Sequence, residues 1–347
     1  MVSDVPRVFD ACGAVCYNGG MIRLSSQRRL LVLRMEVARS VTESLWEAIW
    51  AKGRDMYRSV WVLGGKDVLV AGGQWRRVKS VRGLVAAGPV AVPEVTLAEL
   101  DRCGEAFAGA LRAHPTDVLV CGGAEALRAA ARLAVWARVT APATRWVAVP
   151  CCLWNGVPFT VCALGYASGL RWCAQQVRAL MRGREGGVPT VTIRDDSYGW
   201  LRLGLVALFG TPKGSGDLSV ELRLETSLPC APFDRRLGRA LGAAVMRRVR
   251  YAAPGIMLTV RLRAGTVTPI IDHLALTESM YATRAIPSLY VSKTSGNPTE
   301  LMKTLVRQWC APWREVGGKR ARERRDGENV GRRGRLLTVE QLDGGTA

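Results

Sequence analysis

The stretch from Thr116 to Gly169 constrains the fold more than any other part of the chain. It begins Thr116-Asp117-Val118-Leu119-Val120-Cys121-Gly122-Gly123, continues through an alanine-rich segment, and reaches Trp146-Val147-Ala148-Val149-Pro150 before a glycine-containing turn. Val118 to Cys121 is a short apolar run without alternation, as expected of a parallel strand buried on both faces. Gly122-Gly123 turns the chain into a helix. Along it Leu127, Ala130, Ala131, Ala134 and Val135 recur at helical spacing, so this stripe is expected to face the sheet, with Arg128 and Arg132 in water. Val147 to Val149 forms the next strand. A strand, a double glycine, a helix and a second strand make a crossover of the kind that holds phosphate groups. A tight strand-to-helix turn accounts for the two glycines equally well.

The run from Trp146 to Leu170 has 25 residues without a charge, long enough to span a bilayer. Pro150, Asn155, Gly156, Pro158 and Gly165 interrupt it, so a buried strand, loop and helix start is the expected reading rather than a membrane segment. The first residues carry no basic region followed by a sustained apolar segment, and no leader is expected.

Elsewhere strands and helices alternate. Strands are expected at 29–35, 59–63, 68–70, 190–194, 218–224 and 256–263. Helices are expected at 36–50, 97–113, 165–181, 200–209, 232–249, 272–285 and 299–309. Such alternation predicts an α/β class, doubly wound, with mostly parallel sheets in two lobes. Residues 1–35 form an irregular N-terminal segment, 36–310 the α/β region and 311–347 a basic flexible tail.

Charge and cysteines narrow the function classes. The net charge is +20 over 347 residues, of which nine Lys/Arg against four Asp/Glu place +5 between Arg314 and Arg335. An anionic partner follows, either phosphorylated metabolites or, as an alternative, nucleic acid. The ten cysteines contain no C-x-x-C pair and only His114 and His273 could assist them, so structural zinc is not expected. Most lie in apolar runs, as expected of core residues in a reduced, cytoplasmic protein.

The order of these segments resembles the phosphofructokinase family, nearer its pyrophosphate-dependent branch. Arg82-Gly83-Leu84 is similar to the region after the family's first strands. Asp117 to Gly123 with Ala129 to Ala134 resembles its "D-x-L-x-x-I-G-G-D-x-T-x-x-A-A-x-L-A" run, and Val147 to Gly156 its "V-I-G-I-P-K-T-I-D-N-D". Leu164 to Ser168 resembles "F-G-F-D-T-A", Asp195 to Leu201 "M-G-R-x-x-G-W-L", and Leu228 to Asp234 "L-P-E-x-P-F-D". Pro254 to Arg261, with Asp272 and Ala275, resembles the late "P-G-Y-x-x-R … D-x-x-x-A" segment. The resemblance covers about residues 36 to 310.

That family transfers a phosphoryl group to fructose 6-phosphate, using magnesium with pyrophosphate or ATP, and works as oligomers. The resemblance implies donor binding by Gly122, Gly123, Ala124 and Glu125, and substrate binding by Cys152, Asn155, Asp196 and Arg261. Several family residues are replaced here. Ala124 stands at the metal-binding acid, with Glu125 beside it. Trp154 stands at the base, Gly156 at the second aspartate, Cys151 at the lysine that marks pyrophosphate use, and Asp196 at a phosphate-binding arginine. A tryptophan cannot accept a proton from a hydroxyl, and phosphoryl transfer depends on metal, neutralised charge and a positioned base. The expectation is a non-catalytic relative with no catalytic residue of its own. It would bind a sugar phosphate or regulate an active paralogue, as a homo-oligomer or hetero-oligomer. Two alternatives stay open: an active phosphotransferase with Glu125, Asp195 or Asp196 rearranged as ligands and base, and a basic nucleic-acid-binding protein. Asp195-Asp196 also suits a helix N-terminus before Gly199. His273, after Asp272, is expected at the start of a helix.

Overall fold

The computed structural model describes residues 15–17, 20–22, 28–34, 39–53, 56–57, 59–63, 75–80, 82, 107, 111–112, 116–182, 190–194, 196, 198–211, 219–222, 228–249, 255–263, 266, 268–280 and 286–311. The chain divides into one compact unit, Met1–Cys310, and a second, Ala311–Ala347. The tail expected at 311–347, the strand at 68–70, most of the helix at 97–113, Asp195 and His114 lie outside the described residues.

A seven-stranded sheet organises the first unit. Its strands are β3 (Arg29–Arg34), β4 (Ser59–Leu63), β5 (Trp75–Val78), β6 (Thr116–Gly122), β7 (Arg145–Pro150), β10 (Ile256–Leu262) and β11 (Pro269–Ala275). Their order is β11-β10-β7-β6-β3-β4-β5. The five inner strands are parallel, and β5 and β11 run antiparallel along the two edges. A hairpin, β1 (Val15–Tyr17) with β2 (Gly20–Ile22), and a small parallel sheet, β8 (Thr190–Ile193) with β9 (Ser219–Leu222), complete the strands. The described helices are α1 (Arg39–Gly53), α2 (Ala124–Thr140), α3 (Tyr166–Met181), α4 (Trp200–Phe209), α5 (Pro232–Arg248) and α6 (Glu300–Cys310), with a 3₁₀ turn at Leu276–Met280.

The apolar runs of the inner strands lack alternation because both sheet faces are covered. Leu119 and Cys121 of β6, Val147 and Val149 of β7, and Leu258 and Val260 of β10 enter one core. Val118 and Val120, Trp146 and Ala148, and Met257 enter the other. The first core is closed by α1, α3, α4, α5 and α6; the second by α2 with Phe107 and Leu111. This is the doubly wound arrangement expected from the element order.

Two helices approach unusually closely. A Cβ on Gly242 of α5 would stand 2.7 Å from the Ala48 Cβ and 2.8 Å from the Leu45 carbonyl of α1, so only glycine fits. Three local expectations are corrected. Residues 272–275 are not helical: Pro269–Ala275 pairs along its whole length with β10, Leu276–Met280 form a 3₁₀ turn, and 281–285 lie outside the described residues. The β-branched run Ile270-Ile271 suits an edge strand, and the pairing with β10 overrides the helical spacing. His273 is therefore a strand residue opposite Leu258, and Asp272 lies opposite Thr259. Val135 is 43% exposed, whereas Leu127, Ala130, Ala131 and Ala134 are buried, so the buried stripe of α2 is narrower and built of alanine. The antiparallel edge strand β5 carries two arginines in four residues, and its short charged pattern left no strand signal.

At the opposite end of the sheet from the double glycine, Asp117 is fully buried. Its carboxylate accepts from Arg28 Nε at 2.8 Å and Nη2 at 2.5 Å, from Arg145 Nε at 2.8 Å and Nη2 at 2.5 Å, and from the Tyr57 hydroxyl at 3.0 Å. Burial first, and then the adjacent carboxylate, push the Tyr57 hydroxyl well above its ordinary pKa, so it stays a donor. This cluster ties β3, β6, β7 and the segment after α1 together below the sheet.

Candidate functional site

The inner strands all end at the same edge, and the chain reverses its direction of sheet growth between β3 and β6. In open parallel sheets the crevice beyond such a reversal is where ligands bind. Gly122 and Gly123 stand there, because β6 pairs with β3 up to Cys121 opposite Arg34.

Gly123 caps α2 with φ −78 and ψ −170, ordinary extended backbone. A Cβ at this position would meet the Cys152 side chain, Sγ at 3.8 Å and Cβ at 4.0 Å, both normal contacts. Neither conformation nor crowding requires glycine at 123. The N-cap residue of α2, Gly123, has no side chain to bond the first-turn N–H groups, which with the helix dipole face the crevice end of β6. The two other helices that start near the crevice differ. Buried Asp234 of α5 accepts from the Gly165 and Ser168 N–H groups of α3 at 3.0 and 2.7 Å and from the Ser168 hydroxyl at 2.5 Å. That hydroxyl accepts in turn from Ala231 N–H at 2.8 Å. Gly165 has φ 108, a left-handed geometry that favours glycine. Burial raises the Asp234 carboxyl to a pKa of about 6, against the pull of these donors. Asp196 does the same for α4: its Oδ2 accepts from Arg202 N–H at 2.9 Å. Burial raises its pKa, and the N–H groups of the first turn of α4 oppose the rise.

The loop after β7 forms the wall of the crevice. Cys151 N–H donates to Gly122 O and Cys152 N–H to Leu164 O, both at 2.9 Å, so the loop begins as a continuation of the sheet. Buried Asn155, at φ 55, donates from Nδ2 to Val161 O at 2.9 Å and accepts at Oδ1 from Ala163 N–H at 2.8 Å. Its amide thus holds the loop closed. Thr160 anchors the far side by accepting from Val260 N–H of β10 at 3.0 Å. Phe159, between these anchors, is held at φ 60 and is 47% exposed. Trp154 is half-buried and packs against both cores. Its ring lies over Gly156, where a Cβ would come within 3.1 Å of Trp154 Cδ1 and Nε1 and 3.4 Å of Tyr198 Cε2.

The expected site residues are thus only partly assembled. Gly122, Gly123, Ala124, Cys152, Trp154 and Asn155 lie together at the ends of β6 and β7. Glu125 is exposed and paired with Arg128 at 2.5 Å along its own helix. Asp196 is committed to the start of α4, in agreement with the helix-terminus reading. Arg261, at the crevice end of β10, pairs with Asp272 at 3.4 Å across β10 and β11. His273 contacts Arg248 through Nδ1. Among the described residues, no three His, Cys, Asp or Glu side chains converge where a metal ion could sit. Ala124 offers no side-chain ligand atom, Glu125 is paired along its own helix, and Asp196 is bound to the start of α4 through Oδ2, while its buried Oδ1 meets no hydrogen-bond donor among the described residues. The described residues at the crevice therefore do not make a ligand set for a magnesium-bound phosphoryl donor.

Sequence reasoning missed Ser168, Asp234, Thr160 and Phe159. Asp234 carried a readable signal, as an acid in the first turn after Pro232, where it complements a helix dipole. A cavity of about 370 Å³ also opens along α4, lined by Val177, Val191, Arg202, Phe209 and Asn297 among others; none of the crevice residues belongs to it. The described cysteines are free thiols, most of them buried. No helix among the described residues is long and apolar enough to cross a membrane.

No family model and no curated protein sequence matches the chain. Solved structures do. The pyrophosphate-dependent phosphofructokinase from Marinobacter aquaeolei superposes with a TM-score of 0.61 at 14% identity, covering 83% of this chain and 94% of that one. The pyrophosphate-dependent enzyme from Nitrosospira multiformis gives 0.61 at 13% identity, covering 84% and 94%. Pichia pastoris phosphofructokinase in the T-state gives 0.59 at 15% identity, covering 74% of this chain and 36% of that one. At these identities the likeness is one of fold, and the α/β architecture expected from the sequence is the one observed.

Proposed function

We propose that this chain, which has the phosphofructokinase fold, binds a sugar phosphate at the Gly122-Gly123 crevice without transferring a phosphoryl group, and regulates an active relative. One observation carries the reading: Trp154, which the family resemblance puts at the position of the base, packs against both cores beside Gly156. The first turn of α2, whose N-cap Gly123 has no side chain to occupy its N–H groups, supports anion binding, because Gly123 is free of any conformational demand for glycine. Regulation and association with an active paralogue follow from the fold analogy alone. The rearranged-enzyme reading loses support from the local commitments of Glu125 and Asp196.

Thermal unfolding with fructose 6-phosphate, with and without magnesium pyrophosphate or magnesium ATP, tests the proposal. Ligand at about 100 times its Kd stabilises the native state by about 2.7 kcal/mol. Stabilisation by the sugar phosphate, unchanged by either donor and without turnover, is expected. Gly123→Ala should leave the unliganded protein as stable as before and abolish the sugar-phosphate response, since the methyl fits the fold but blocks close approach of an anion to the backbone. Turnover, or no response to the sugar phosphate, would overturn the reading.

A further inference from the structure

The cavity beside α4 is built differently from the crevice. Its volume of about 370 Å³ lies within the range of about 300 to 1,000 Å³ typical of small-molecule sites. Val177 of α3, Val191 of β8, Val206 and Phe209 of α4, and Val291 give it mainly apolar walls. Three of the four glycines at positive φ among the described residues line it: Gly199 (φ 72), Gly210 (φ 86) and Gly296 (φ 67). They turn the chain at the two ends of α4 and within the 292–297 turn, and a Cβ on any of them would meet nothing within 4 Å. That turn is pinned by Ser292 N–H to Asn297 O at 2.8 Å and by Gly296 N–H to Ser292 O at 2.9 Å, so this rim has a defined shape. Polar groups are few and stand at the mouth, where Arg202, Thr211 and Asn297 are exposed lining residues. Among the described residues no acid lines the cavity, and the Arg202 guanidinium enters no ion pair. The elements packed against α4 bring no acid to it. Helix α3 and strand β8 contain none, and Glu300, the single acid of α6, pairs with Lys303 at 2.7 Å. Asp196 faces the first-turn N–H groups of α4. Arg178 of α3 stands 5.5 Å from the Phe209 ring centre and adds a second positive group beside the apolar wall.

We propose that this cavity binds a small organic acid, a free monocarboxylate with an aromatic or medium-length aliphatic body. Its carboxylate is held at the mouth by Arg202, and its body lies among the apolar walls. A guanidinium presents paired donors whose geometry matches a carboxylate. Asn297 and Thr211 supply the few further polar contacts that orient a ligand in an apolar site. A phosphate ester suits the cavity less well, because the N–H groups at the start of α4 that would hold its extra charge already face Asp196. A sugar or a nucleotide would press hydroxyl groups against walls that cannot bond them. None of the crevice residues lines the cavity, so the site stands independently of sugar-phosphate binding.

Isothermal titration calorimetry of the whole chain with octanoate and with phenylpropionate tests the proposal, with octanol and phenylpropanol as the uncharged counterparts. Saturable binding of at least one acid, tighter than that of its alcohol, is expected. Arg202→Gln should weaken the acid about tenfold or more and leave the alcohol unchanged, as expected for the loss of a charge-assisted hydrogen bond. Val206→Phe narrows the cavity and should weaken acid and alcohol alike. Circular dichroism melting confirms that both variants are native. Fructose 6-phosphate should not displace the acid. Absence of saturable binding by either acid, displacement by fructose 6-phosphate, binding that both variants retain, or equal loss of acid and alcohol in Arg202→Gln would overturn the proposal.

Discussion

Replacing Asp117 with Asn removes one charge and little volume from the bottom of the sheet, and the consequence can be worked out from the contacts. The carboxylate is fully buried and takes five hydrogen bonds, four of them from two guanidinium groups. The Arg28 and Arg145 side chains are 23% and 19% exposed, so neither can turn fully into water without leaving the strands it joins. Removing one partner of a buried ion pair costs about 3 to 5 kcal/mol, because the remaining charge is left uncompensated. Partial exposure of the arginines places the expected loss near the lower end, about 3 kcal/mol. The amide also turns a donor toward Arg145 or the Tyr57 hydroxyl, which adds to the loss. Against a total stability of about 5 to 15 kcal/mol, this is a large fraction. Guanidinium chloride unfolding at neutral pH, followed by tryptophan fluorescence, measures it through the shift in midpoint at constant slope. Because the cluster lies at the end of the sheet away from Gly123, the ligand response of the residual native protein should be unchanged. A loss under about 1 kcal/mol would refute the view that Asp117 neutralises the two arginines.

Three further outcomes follow from the same contacts. Gly242→Ala forces a methyl against the Leu45 carbonyl of α1, and equilibrium unfolding should show about 1 to 3 kcal/mol of destabilisation; an unchanged midpoint would mean the two helices separate freely. Asp234 titrates near 6 in the folded state against 3.8 for the ordinary group, so its contribution favours folding below about pH 4 and is lost as pH rises through about 6. The advantage of the wild type over Asp234→Asn should therefore be about 2 kcal/mol greater at pH 4 than at pH 7.5, and denaturant titrations giving a pH-independent gap would contradict this. Asn155→Ala orphans Val161 O and Ala163 N–H and forces alanine to φ 55, which should cost about 2 to 4 kcal/mol and speed proteolysis of the loop; equal digestion rates would count against its clamping role.

Much of the fold was legible in the sequence, for a physical reason that β6 illustrates. A strand covered on both faces must be apolar throughout, and Val118 to Cys121 together with the following alanine helix announces a buried parallel crossover. Edge elements were harder to read. Residues 272–275 are expected from the sequence to open a helix, and only the pairing of Pro269–Ala275 with β10 makes them a strand. The site was legible in its backbone and not in its side chains. Gly122, Gly123, Trp154 and Asn155, which the family resemblance groups, lie at the ends of β6 and β7, since the strand ends fix them. Whether Asp196 and Glu125 reach a ligand or turn to nearby N–H and guanidinium groups depends on side-chain partners that no spacing reveals. The buried link between Asp234 and Ser168 spans 66 residues, and no local pattern encodes it.

Trp154 has a consequence for the history open to this chain. Its ring is shared by both cores, so it serves as mortar between two layers as well as a stopper in the crevice. A carboxylate at this position would withdraw an aromatic surface of about 150 to 250 Å² and leave a charge beside an empty space. Placing a base here would thus require simultaneous repacking around Gly156 and Tyr198. On the proposed non-catalytic reading, a single substitution at 154 gives no catalytic crevice without that repacking, and the filled site acts as a one-way gate in sequence space.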